Sequence, residues 1–209
     1  LIALDSRHER LTESIIWADN RANQYADLIN EQYGGHDIYK RTGTPIHPMS
    51  PLSKIFWMKH EQPDIYQNTA MFADIKTYIF YQLYGEYVMD HSMASATGLF
   101  NLQQLDWDQE ALELLGISAS QLPQLVPTTH ILKGMKKRYA SLMGIDENTP
   151  VVVGASDGVL SNLGVNSYKK GEVAVTIGTS GAIRTVIDKP RTDYKGRIFC
   201  YVLDEDHYV

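Results

Sequence analysis

A single cysteine, Cys200, stands in 209 residues, so no intrachain disulfide can staple the fold and no cluster of thiolates can hold zinc. A reducing, cytoplasmic compartment is the simplest setting for such a chain. Long apolar runs are missing too: none approaches the roughly 18 residues that cross a bilayer. The opening Leu1-Ile2-Ala3-Leu4 gives way at once to Asp5-Ser6-Arg7, too soon for a signal-peptide core. There is no excess of positive charge. Lys and Arg number 19 against 25 Asp and Glu, a net −6, which argues against a nucleic-acid surface because phosphate backbones demand clustered cations. A few placed donors still suffice for a small anion. No G-x-x-x-x-G-K-[ST] loop and no G-x-G-x-x-G fingerprint occurs. His60-Glu61 opens like a zinc-binding H-E-x-x-H helix, but Asp64 takes the second histidine's place and Pro63 precedes it; no metal site is expected.

What is present reads as mixed α/β. Residues 20–33 have helical spacing and close at Gly34-Gly35, as helix C-termini often do. Gly43, Pro45 and Pro48 make Tyr39 to Ser50 a structured loop. Ser50-Pro51 then supplies an N-cap and a first-turn proline for a helix carrying Leu52, Ile55, Phe56 and Lys59 and stopped by Pro63. Asp74 caps a helix whose apolar face is read as Ile75, Tyr78, Ile79 and Leu83, closed by Gly85. Two further amphipathic pieces run from Trp107 to Leu115 and from Met135 to Met143, ended by Gly116 and Gly144. The aromatic stripes are core packing.

The last sixty residues change character. Val151-Val152-Val153 is a wholly apolar run of the kind that forms a strand covered on both faces. It turns through Gly154-Ala155-Ser156-Asp157-Gly158 into a helix with Val159, Leu160 and Leu163. Strands follow at Val173–Ile177 and Ala182–Ile187, joined by Gly178-Thr179-Ser180-Gly181, and after a polar break at 188–195 at Ile198–Leu203 and from His207 onward. The chain begins without methionine and ends inside a β-like alternation, so it is read as an internal segment of a longer protein.

Three constellations in this half can carry chemistry. Asp157 sits where a strand ends and a helix begins, the place where α/β sheets hold ligands, and a free carboxylate there can take the proton of a hydroxyl attacking phosphorus. The alternative is that Asp157 only caps the helix. Gly178-Thr179-Ser180-Gly181 brackets two hydroxyls with glycines, which lets backbone N–H groups converge on an anion; the alternative is a plain hairpin turn. The two motifs lie 22 residues apart, 179 − 157, at the ends of successive strands. Gly154 to Gly158 also reads as G-x-S-x-G, a nucleophile elbow with Ser156 as nucleophile. That reading is poor, since the only histidine after it is His207 and no HGGG-type oxyanion segment exists.

Several stretches together resemble the FGGY carbohydrate kinases. They are Ile16-Trp17-Ala18-Asp19-Asn20-Arg21, Tyr39 to Met49, Ser50-Pro51-Leu52-Ser53-Lys54-Ile55, Met93 to Gly98, Val153 to Gly158, Thr176 to Arg184 and Gly196 to Tyr201. The likeness runs nearly the whole chain, and its Thr42–Met49 loop points to members acting on gluconate. It implies two actin-like, ribonuclease-H-like domains with ATP and sugar meeting in the cleft. Residues 1–187 would be a partial N-terminal domain, 188–195 a linker and 196–209 the opening strands of the C-terminal domain.

The resemblance also implies roles. Asp157 aligns with the family's catalytic base. Gly178, Thr179 and Ser180 align with the loop that contacts the ATP γ-phosphate, with Mg²⁺ bridging the phosphates. Trp17 aligns with a tryptophan packed on the substrate's carbon chain, and His91 is placed where relatives carry a tyrosine reaching a substrate hydroxyl. Ala182 replaces an aromatic that glycerol-specific members set over their small substrate, leaving room for a longer one. The expected reaction is transfer of the γ-phosphoryl group of ATP to the 6-hydroxyl of D-gluconate. Another sugar such as xylulose, or a non-catalytic ATP-binding module, are the alternatives. The substrate carboxylate needs a basic subsite, for which Arg21, Lys54 and His47 are candidates. The family's D-x-G-T phosphate loop does not occur in the sequence, so the segment alone is expected to be inactive. Oligomeric state is left open, a homodimer included.

Overall fold

The computed structural model describes residues 1–169, 171–178 and 181–209. The first half runs β1 (Ile2–Leu4), α1 (Asn23–Gln32), α2 (Gly35–Thr42), α3 (Pro51–Glu61), α4 (Pro63–Asn68), β2 (Met71–Ala73), α5 (Ile75–Tyr84), β3 (Val88–Asp90) and α6 (His91–Ser95). Then come β4 (Phe100–Asn101), β5 (Asp106–Trp107), α7 (Gln109–Leu115), β6 (Gln124–Val126), β7 (Ile131–Leu132) and α8 (Lys137–Met143). The chain closes with β8 (Val151–Val152), α9 (Asp157–Gly164), β9 (Val173–Ile177) and β10 (Gly181–Thr185).

Helix ends follow local chemistry. The Asp74 carboxylate accepts the Thr77 N–H at 2.6 Å and so caps α5, while Asp108 caps α7 through the Ala111 N–H at 3.0 Å. Gly85, Gly116 and Gly144 end α5, α7 and α8 in the left-handed region, where a side chain would be strained. Gly34 does more than stop α1. At φ +67° it also opens α2, so part of the expected Tyr39–Ser50 loop is helical. Pro63, read as a stop, starts α4 as well, because a proline in the first turn gives up an N–H that has no partner there. The apolar face of α5 differs from expectation: Thr77 and Phe80 are buried, whereas Ile75 and Ile79 are 55% and 47% exposed. The Thr77 hydroxyl donates to the Val88 carbonyl at 3.0 Å, which turns that side of the helix toward β3.

The main core gathers Ile29 of α1, Leu52, Ile55 and Met58 of α3, Phe72 of β2, and Leu112 and Leu115 of α7. Each such side chain contributes about 1.5–3 kcal/mol by leaving water. Strands pair in twos: β1 with β2, β4 with β5 and β7 with β8 antiparallel, and β3 with β6 parallel. The strand at 151–153 is not covered on both faces. Val153 is buried, but Val152 is 56% exposed and β8 meets only β7 among the described residues. β9 and β10 form an antiparallel hairpin with Ile177 opposite Gly181. The expected strands at 198–203 and 207–209 reduce to bridges, Val202 and Ile187 each facing Tyr208. Cys200, Val202 and Tyr208 nevertheless pack into the main core.

Candidate functional site

Asp157 is placed by a loop tied down at almost every residue. The Val153 and Gly154 N–H groups donate to the His130 and Thr128 carbonyls at 2.9 and 3.0 Å. Lys76, ion-paired with the buried Asp90, reaches the Val153 carbonyl at 3.4 Å. Gly154 turns the chain at φ +74°, a conformation that favours glycine. Ser92, on the first turn of α6, accepts the Ser156 N–H at 3.2 Å and donates to the Ser156 hydroxyl at 3.2 Å. That hydroxyl also accepts the Val159 N–H at 3.4 Å, so Ser156 is the cap of α9. Asp157 is the first helical residue, exposed, with one carboxylate oxygen on the Gly158 N–H at 2.7 Å. The cap reading therefore belongs to Ser156 and leaves the other Asp157 oxygen free among the described residues. A Ser156 nucleophile is not supported: its hydroxyl is engaged in capping, and His207 faces Asp204 at 2.8 Å.

Across from α9 stands the β9–β10 hairpin. Register sets Ala182 opposite Thr176 and Arg184 opposite Ala174, so these four share one face, since side chains alternate along a strand. The Arg184 guanidinium donates to the Thr176 hydroxyl at 3.3 Å and lies over Gly158, where a β-carbon would come within 3.4 Å of it. The face that carries Ala182 thus looks at the first turn of α9. Gly178 follows β9 and is exposed; Thr179 and Ser180 lie outside the described residues. Tyr201 completes the neighbourhood. Burial pushes its hydroxyl up to about 12, with Arg184 pulling it down and Asp157 pushing it further up. It is therefore a neutral donor, its ring packed against Val159 and Val186.

Trp17 rims a cavity of about 230 Å³ that also takes in Lys54, Met49, Phe72, Trp107 and Tyr201. The indole is 72% exposed. Lys54 is buried, its ammonium donating to the Ile16 and Met49 carbonyls at 2.6 and 3.0 Å; desolvation lowers its pKa. It ties the Trp17 segment to the turn at the start of α3. Arg21 is closed off by Asp19 at 2.7 and 2.8 Å and lies over the Trp57 ring. His47 is exposed and its Nδ1 accepts the Met49 N–H at 3.2 Å. His91 opens onto a different cavity of about 270 Å³, with Thr128, Thr129 and the acidic Asp204–Asp206 turn. The structure thus brings Trp17 and Tyr201 to one cavity and packs Tyr201 against Val159 of α9 and Val186, while His91 opens onto another cavity. Arg184 and Tyr201 were not singled out from sequence; the two-residue step from Ala182 along one strand is the signal that finds Arg184.

Residues 1–164 match the FGGY family of carbohydrate kinases, N-terminal domain. Over all 209 residues the chain is 59% identical to gluconokinase of Bacillus subtilis (strain 168), of which it covers 41%. It superimposes on the crystal structure of gluconate kinase from Lactobacillus acidophilus with TM-score 0.96 at 41% identity, over 99% of this chain and 42% of that one. A ligand-bound xylulose kinase from the same organism gives the same figures. The chain spans about two-fifths of the length of these relatives. The neighbours share the actin-like ATPase fold, and the chain belongs to the FGGY family of carbohydrate kinases.

Proposed function

We propose that a full-length protein carrying these residues phosphorylates D-gluconate at its 6-hydroxyl with ATP, in the cytoplasm. The observation that supports this best is Asp157: exposed at the head of α9, spared from capping by Ser156, and next to Gly158, over which Arg184 of the hairpin lies. In this reading Asp157 takes the hydroxyl proton as the oxygen attacks the γ-phosphorus, and Gly178, Thr179 and Ser180 donate to the transferring group. Such reactions need positioned donors more than covalent help, and a base adds about 10²–10⁴-fold.

Trp17 would cover the carbon chain from the cavity rim. The hydroxyl contact assigned to His91 rests on the resemblance alone, because His91 opens onto the second cavity. Among the described residues no three His, Cys, Asp or Glu side chains converge on a metal position. The Mg²⁺ implied by the resemblance keeps several waters and binds largely through nucleotide phosphates; when bound it would offset charge on the phosphoryl oxygens. Residues 188–195 are proposed as the boundary toward a second domain, with 196–209 as its first segment.

The equal match to a protein described as a xylulose kinase favours one second reading, a ketose substrate. Competition decides between them. With both sugars present, the full-length protein is expected to consume ATP on gluconate and to ignore xylulose; preference for xylulose would replace the first reading by the second. The 209-residue chain alone is expected to release no ADP on gluconate.

A further inference from the structure

Arg184 is a half-buried cation that makes no ion pair among the described residues. A guanidinium carries five N–H donors in a fixed fork, and here one of them is spent on the Thr176 hydroxyl. Its remaining donors, half-exposed and without a counter-ion among the described residues, are open to an anion that arrives with a ligand. Tyr201 adds a hydroxyl with no hydrogen bond among the described residues; its ring packs against the cluster of Val159 from α9 and Val186 just past β10 and lines the cavity that Trp17 rims. The other candidate cations are occupied: Arg21 by Asp19, and Lys54 by two backbone carbonyls. His47 is exposed, and its Nδ1 accepts the Met49 N–H at 3.2 Å.

We propose that Arg184, together with the Tyr201 hydroxyl, recognises the carboxylate of a sugar-acid substrate, an assignment that rests on the kinase reading of Asp157 and names the acceptor class it selects. The planar fork matches two carboxylate oxygens at once. Ala182, between the turn and Arg184 on the same face, leaves the carbon chain space to pass.

The test uses the full-length protein with Arg184→Gln, Arg184→Lys and Tyr201→Phe, assayed with gluconate and with glucitol, the neutral polyol of equal length, as alternative substrate or competitor. Arg184→Gln is expected to raise KM for gluconate about 10- to 100-fold, the range for losing hydrogen bonds to a charged group, with kcat little changed and glucitol affinity unaltered. Arg184→Lys is expected to recover part of the loss and Tyr201→Phe to show a smaller one, all with melting temperatures near wild type. An equal fall in kcat for both sugars would assign Arg184 to the phosphoryl group or to the fold and overturn the proposal. So would a variant that still prefers the acid. A wild-type protein with no preference for the acid over glucitol would instead overturn the sugar-acid reading itself, and the Arg184 assignment with it.

Discussion

Replacing Asp108 with alanine should strongly destabilise the N-terminal region. Its carboxylate is 2% exposed and accepts four N–H groups: Arg41 Nε and Nη2 at 2.8 and 3.0 Å, Asn101 Nδ2 at 3.0 Å and the Ala111 backbone at 3.0 Å. It thereby joins the end of α2, strand β4 and the start of α7. Loss of an N-cap costs about 0.5–2 kcal/mol, and stripping one partner from a buried ion pair about 3–5 kcal/mol. The second figure is reduced here, because Arg41 is 25% exposed and keeps Glu110 at 3.1 Å. The two costs arise in one network and do not simply add. The expected loss is about 3–4 kcal/mol, a large part of the usual 5–15 kcal/mol of domain stability. Asp108→Asn retains a good cap and should lose about half as much. Urea denaturation of both variants, with Arg41→Met and the double mutant to close the cycle, reads these numbers. A loss under about 1 kcal/mol for Asp108→Ala, or equal losses for the two variants, would refute the reasoning. The effect has a functional side, since the Arg41 carbonyl accepts the Leu102 N–H at 3.0 Å just before the Thr42–Met49 loop.

Gly43 follows α2 at φ +67°, and a β-carbon there would strike the Leu102 methyl and come within 2.8 Å of the Cys200 carbonyl. Gly43→Ala should cost about 2–4 kcal/mol from left-handed strain plus overpacking, against about 1 kcal/mol for Gly34→Ala, which has open space and only the strain; equal midpoints in urea would contradict this. Burial holds the His91 pKa below the ordinary 6.5, with Glu205, Asp90 and Asp106 opposing. The folded state therefore binds fewer protons than the unfolded chain, so this contribution is full above pH 6.5 and is lost as pH falls through the folded value. His91→Gln should reduce the drop in urea midpoint between pH 7.5 and 5.5, and an unchanged drop would count against it.

The sequence was most readable where one residue does one local job. Asp74, Gly85, Gly116 and Gly144 stand at helix ends as read, because a carboxylate over an open N–H and a glycine in the left-handed region need no tertiary partner. Faces were harder. In α5 the run Ile-Lys-Thr-Tyr-Ile-Phe-Tyr-Gln-Leu-Tyr is apolar nearly all round, so periodicity cannot choose a side, and Thr77 bonding to Val88 chose one. Val151–Val153 looked doubly covered from composition alone, while its partner, Ile131–Leu132, is a matter of long-range pairing that short apolar runs do not encode. Asp157 was found as a candidate, but whether it or Ser156 caps α9 depended on a serine 64 residues away, Ser92, that orients the loop. Arg184 escaped notice because its neighbour Gly158 comes from a separate segment of the chain.

The most direct measurement is single-turnover phosphorylation by the full-length protein with Asp157 replaced by asparagine, beside calorimetric ATP binding. The account predicts that transfer to gluconate falls by about 10²–10⁴-fold while ATP affinity stays where it was. Turnover at the wild-type rate by Asp157→Asn, with the nucleotide bound as before, would contradict it.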